Sequence, residues 1–124
     1  MLGPLFEVIV YCMDMQAQVE FYRDTLGMKV TWPENVEDFS KEHWVVFATE
    51  GGAALALHGG GVDTAGTPAR FGFLVPDAKA SLTALREKGV RCNDIRDVAE
   101  GIFVVDCWDP ESNPFFLEQR ALKY

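Results

Sequence analysis

Two periods of apolar and polar positions follow one another along this chain, and their order repeats. Leu5 to Cys12 is apolar on both parities apart from Glu7, the pattern of a strand covered on both faces. Asp14 is a candidate N-cap, and Val19, Tyr22 and Leu26 then recur at helical spacing with Gly27 as the stop. Met28 to Trp32 reads as a short strand and Pro33 to Glu42 as an acidic, solvated loop. Trp44 to Thr49 and Ala53 to His58 read as two strands joined through Gly51-Gly52.

After Gly59-Gly60-Gly61 and a Gly- and Thr-rich stretch the same order returns. Arg70 to Val75 predicts a strand, Asp77 a second N-cap, and Ala78, Leu82 and Leu85 a second amphipathic helix stopped by Gly89. Val90 to Ile95 and Ile102 to Cys107 predict strands, and Asp109-Pro110 through Ser112-Asn113-Pro114 a tight turn into a last strand, Pro114 to Gln119. Asp14 and Asp77 are 63 residues apart, Gly27 and Gly89 62, and His58 and Glu118 60. The simplest architecture is an α+β domain of two βαβββ modules, residues 1–58 and 70–124, joined by a linker over 59–69. Neither half alone is long enough to bury a good core, so the whole chain reads as one domain.

Composition narrows the function classes. A hydrophobic content of 48% and a charged content of 24% are globular values. The net charge of −8 disfavours nucleic acid and anionic membrane surfaces as partners. No apolar run approaches the ~20 residues of a membrane span. The three cysteines, Cys12, Cys92 and Cys107, show no CxxC spacing, which argues against a disulfide framework and for a reducing cytoplasm. No base neighbours Cys12 or Cys92 in the sequence to make either a nucleophile. The glycine run has neither the Lys-Ser/Thr nor the helix start of a phosphate loop.

Four segments carry a resemblance: the Glu7-to-Asp14 strand and cap, Phe21-Tyr22-Arg23-Asp24-Thr25-Leu26-Gly27-Met28, the Asp77-to-Gly89 helix, and Asp109-Pro110 through Leu117. With the repeat, they make the chain resemble the vicinal oxygen chelate superfamily of glyoxalases, bleomycin-resistance proteins and ring-cleaving dioxygenases. The resemblance implies curved mixed sheets around a concave cleft, a homodimer, and, in metal-using members, a ligand on the first and last strand of each module. Mapped by the motif offsets, those positions hold Glu7, Ala56, Arg70 and Phe116, of which only Glu7 can bind a divalent cation.

Period-2 alternation places Glu7, Ile9, Tyr11, Ala54, Ala56 and His58 on the face away from the helix in the first module. It does the same for Arg70, Gly72, Leu74, Phe116, Glu118 and Arg120 in the second. His58 and Glu118 thus face inward, two residues beyond the expected ligand positions. Two readings follow. In one, the cleft binds a small polar organic ligand without a metal: Arg70 takes an anionic or carbonyl group, Tyr11 and His58 donate hydrogen bonds, and Phe116 and Glu118 complete the wall. In the other, Glu7, His58 and Glu118 hold zinc, nickel, manganese or iron for a lyase, isomerase or dioxygenase. Trp32, Trp44, Phe47, Phe103 and Trp108 are candidates for pocket lining or for core packing.

Overall fold

The computed structural model describes residues 7–59 and 71–120. Gly60, Gly61, Arg70 and most of the expected linker lie outside them. The chain divides into two compact units, residues 1–66 and 67–124.

Unit 1 contains β1 (Glu7–Tyr11), α1 (Met15–Glu20), a π-helical turn (Phe21–Thr25), β2 (Lys29–Trp32), β3 (Trp44–Ala48) and β4 (Ala54–His58). Its sheet runs β1-β4-β3-β2, with β1 and β4 parallel and the other pairs antiparallel. Unit 2 contains β5 (Phe71–Leu74), α2 (Ala78–Glu87), β6 (Arg91–Cys92), β7 (Arg96–Ala99), β8 (Ile102–Trp108) and β9 (Pro114–Arg120). Its sheet runs β5-β9-β8-β6, with β5 and β9 parallel, and β7 adds a second partner along β8. The expected strand at Val90 to Ile95 is therefore only Arg91–Cys92, and β7 is additional. Arg96 and Asp97 give β7 no apolar alternation by which it could be read.

The same backbone devices build both units. Asp14 and Asp77 cap their helices by accepting from the N–H groups of Ala17 and Ala80, at 3.1 and 3.0 Å. Gly27 and Gly89 then adopt φ of 76° and 80°, left-handed conformations that an L side chain would strain. Cys12 N–H donates to the His58 carbonyl at 2.9 Å, and Val75 N–H to that of Glu118 at 3.0 Å, so these two residues close their parallel strand pairs alike.

Each core lies between sheet and helix. In unit 1 it holds Val10, Cys12, Val19, Tyr22, Val45, Phe47, Leu55 and Leu57, and in unit 2 Leu82, Leu85, Val105, Cys107, Phe115 and Leu117. Gln119, on the helix side of β9, accepts from Ala78 N–H at 2.8 Å and ties α2 to the sheet.

Two sequence expectations are corrected here. β1 is covered on one face only, since Ile9 and Tyr11 are 44% and 37% exposed. Apolar residues on both parities do not distinguish a side chain that meets the core from one held out on an open face. The acidic loop is not wholly solvated: Phe39 is buried and its N–H donates to Gln16 Oε1 at 2.7 Å. Among the described residues no helix is long and apolar enough to cross a membrane.

Candidate functional site

The register assigns the rows on the face of each sheet opposite its helix, where Ile9, Tyr11 and Leu74 are exposed while Ala56, Val104 and Asp106 are buried. In unit 1 the central row is Ile9, Ala56 and Val46, and the next is Tyr11, His58 and Trp44. In unit 2 the corresponding rows are Gly72, Phe116 and Asp106, then Leu74, Glu118 and Val104, which Arg96 extends from β7.

The second row of unit 1 is a cluster of rings. His58 stands between Tyr11 and Trp44, with ring centroids 5.2 and 5.8 Å away, the Trp44 contact being edge-to-face. His58 Nδ1 lies 2.7 Å from the Gly59 carbonyl oxygen. A carbonyl only accepts, so Nδ1 is the donor in this contact. Trp32, on the edge strand opposite Val46, adds a ring that is 58% exposed.

Ionic groups dominate the same face of unit 2. Glu118 accepts from Arg120 Nε. Arg96 forks onto Asp106 at 2.7 and 3.2 Å. The Arg91 guanidinium lies over the Trp108 ring, 4.7 Å from its centroid. A hollow of about 230 Å³ opens beside the Glu118–Arg120 pair, lined by Gly72, Phe73, Leu74 and Phe116. A Cβ at position 72 would stand 2.3 Å from the Phe116 ring, so the absence of a side chain there is what lets this ring cross β5.

Of the predicted ligand residues, Tyr11 and His58 are brought together in unit 1, and Phe116 and Glu118 line one hollow in unit 2; Arg70 lies outside the described residues. Asp106, Arg96 and Arg91 were not singled out by sequence reasoning. The first is detectable, because Asp106 interrupts the apolar run of β8 on the parity opposite Val105 and Cys107. Phe47 is core, whereas Trp44 and Trp108 occupy open-face rows. A larger groove of about 830 Å³ follows β2 and the loop after it, but its lining Arg23 is turned to Asp24 at 2.7 Å.

Within unit 1, the two donors of the metal reading, Glu7 and His58, stand apart along the strands. The unbroken β1–β4 register puts Glu7 beside Ala54 and His58 beside Tyr11, four residues further on, or roughly 13 Å along the strands. Ligand bonds of about 2 Å would require both side chains to lean toward a common point, whereas His58 is held by Gly59 and two rings. Between them, Ala56 offers no donor. In unit 2 the corresponding position is Phe116, and Glu118 is engaged by Arg120. Within either unit, no group of three or more His, Cys, Asp or Glu among the described residues could hold a metal ion.

The fold has many solved counterparts. A glyoxalase family protein from Bacillus anthracis superposes with a TM-score of 0.77 at 16% identity, covering 97% of both chains. TnmS3, an antibiotic binding protein from Streptomyces sp. CB03234, gives 0.72 at 22% identity, over 97% of this chain and 98% of its own. Lactoylglutathione lyase from Agrobacterium tumefaciens gives 0.72 at 17% identity, over 94% and 93%. At these identities the likeness is one of fold. No curated protein sequence matches the chain. The family model of the Glyoxalase/Bleomycin resistance protein/Dioxygenase superfamily matches residues 5–115, and with both βαβββ units in place the chain belongs to that superfamily.

Proposed function

We propose that the protein binds a small polar organic ligand on its open sheet faces without a metal ion. The observation that carries this reading is the occupancy of the central rows. Ala56 and Phe116, neither able to donate an electron pair to a cation, occupy the last-strand positions at which the resemblance implies a metal ligand. In unit 1 the Tyr11–His58–Trp44 row offers aromatic surface, with one acceptor at Nε2 and the tyrosine hydroxyl as donor. In unit 2 the hollow beside Phe116 is below the usual ~300 Å³ of a complete ligand pocket, and suits one ring or one substituent of a larger ligand. Arg70, which precedes β5 in the sequence, is assigned an anionic or carbonyl group of the ligand.

A related fold in TnmS3, named as an antibiotic binding protein, supports sequestration as a use of this scaffold. Sequestration needs affinity and no reacting group. Assembly as a homodimer in the cytoplasm belongs to the same reading and is checked by sedimentation equilibrium.

The test is a thermal-shift and tryptophan-fluorescence screen of aromatic antibiotics and aromatic carboxylates, with and without a chelator. At least one compound should raise the melting temperature equally in both conditions. Its affinity should fall about tenfold, equivalent to ~1.4 kcal/mol, in His58→Ala or Phe116→Ala. Binding that disappears on chelation would contradict the reading and favour a metal-dependent lyase, isomerase or dioxygenase.

A further inference from the structure

Cys92 and Cys107 face each other across β6 and β8 as direct register partners, with Sγ atoms 3.1 Å apart. Both are free thiols, Cys92 half-buried and Cys107 fully buried. Asn93 N–H donates to the Asp106 carbonyl at 2.9 Å, so the neighbouring Cys92–Cys107 pair is of the non-hydrogen-bonded kind. In such pairs the Cα atoms lie about 4.5 Å apart, inside the range a disulfide spans. The side chains already point at one another, so a bond requires the sulfurs to close by only about 1 Å.

We propose that Cys92 and Cys107 form a redox modification site, an intramolecular cross-strand disulfide made by exchange with a low-molecular-weight disulfide. Cys92, the more accessible sulfur, attacks as its thiolate. The S–S bond of the small disulfide breaks, one small thiol departs with the electron pair and takes up a proton, and a mixed disulfide remains on Cys92. Cys107 then loses its proton to solvent and attacks Cys92 Sγ, releasing the second small thiol. Two protein thiols are oxidised by two electrons in total, and the small disulfide is reduced to two thiols.

The order follows from the surroundings of Cys107. Burial, and after it the hydrogen bond and charge of Cys92, push the Cys107 thiol well above its ordinary range. The mixed disulfide on Cys92 removes the second and third of these causes, so Cys107 becomes easier to ionise once the first exchange has occurred. The product fastens β6, a strand of two residues, to β8. It thereby fixes the edge that holds Arg91 over Trp108. The site does not depend on the ligand proposed above.

The test treats the purified full chain with oxidised glutathione at mildly alkaline pH, counts thiols after denaturation and maps peptides without reduction. Of the three cysteines one should remain, Cys12, with a Cys92–Cys107 linked peptide and a melting midpoint raised by roughly 5–10 °C and returned by dithiothreitol. Cys12→Ser should form the same link. Cys107→Ser should stop at a glutathione adduct on Cys92, and Cys92→Ser should form no link. Three remaining thiols, a persistent adduct on wild-type Cys92, or a link that involves Cys12 would each overturn the proposal. So would a Cys92–Cys107 bond that lowers the midpoint, since the strands would then have been forced together.

Discussion

Ile9 lies opposite Ala56 in the first unit, and Gly72 lies opposite Phe116 in the equivalent place in the second. The two units share strand order, helix caps and the carbonyl that closes the parallel pair, yet they exchange large and small side chains on the central row. On that row Val46 in unit 1 corresponds to Asp106 in unit 2, and beside it the ring row of Tyr11, His58 and Trp44 corresponds to Leu74, Glu118 and Val104. The repeat therefore keeps whatever shapes the backbone and releases whatever meets the open face. A scaffold of this kind presents aromatic surface from one unit and arginine–carboxylate pairs from the other without altering either core.

The largest effect should come from reversing the exchange of sizes. Gly72→Ile would drive a branched side chain into the Phe116 ring, which a Cβ alone already meets at 2.3 Å, and should cost about 3 kcal/mol in chemical denaturation. Adding Phe116→Ala, so that unit 2 copies the large-small order of unit 1, should make the double variant about 2 kcal/mol more stable than the sum of the single losses. Additive losses would break the comparison.

Next is Asp106, whose side chain is 13% exposed and forked by Arg96. Asp106→Asn should destabilise by about 1–2 kcal/mol, because a charge-assisted pair is lost at a nearly buried site. An unchanged urea midpoint would make the pair no more than a surface ornament. The caps sharpen the comparison from the other side. Asp14→Ala and Asp77→Ala should each cost about 1 kcal/mol, and a clear inequality would show that the two helices are not held alike.

The smallest effect concerns pH. The hydrogen bond from Arg23 holds the Asp24 carboxyl below its ordinary range, and the backbone N–H of Ser40 does the same for Asp38. Because these folded values are depressed, the stabilisation is present above the usual carboxylate range and is lost as pH falls through the lowered ones. Both groups are solvated, so the loss should be slight and reduced by salt. Carboxyl NMR titration of the wild type and of Arg23→Gln checks it, the Asp24 midpoint rising in the variant.

Much of this arrangement is legible from spacing alone. The 63-residue offset between Asp14 and Asp77, and the 60-residue offset between His58 and Glu118, match real equivalences of cap and closing carbonyl. Period-2 alternation also assigns Leu55, Leu57, Phe71, Phe73, Phe115 and Leu117 to the helix side; Phe71 and Phe73 are half-buried and the others buried. Other features escape because the signal is not in the period. Ile9 and Tyr11 are apolar in a strand and still exposed, since a surface that could meet an aromatic ligand has the composition of a core. β7 is too polar to alternate, Phe39 is fixed by a hydrogen bond to Gln16 from 23 residues away, and the Cys92–Cys107 contact needs the β6–β8 register. The odd cysteine count, which argues against a disulfide framework, concealed that contact.

Whether the open faces act without a metal is decided by the metal content of the protein. Purified, untagged protein should be incubated in turn with nickel, zinc, manganese and iron(II), desalted and analysed for bound metal beside Glu7→Gln and Glu118→Gln. Far less than one ion per chain is expected in all three proteins, with a melting temperature unmoved by chelator. Near-stoichiometric metal in the wild type that is lost in either variant would contradict the metal-free reading.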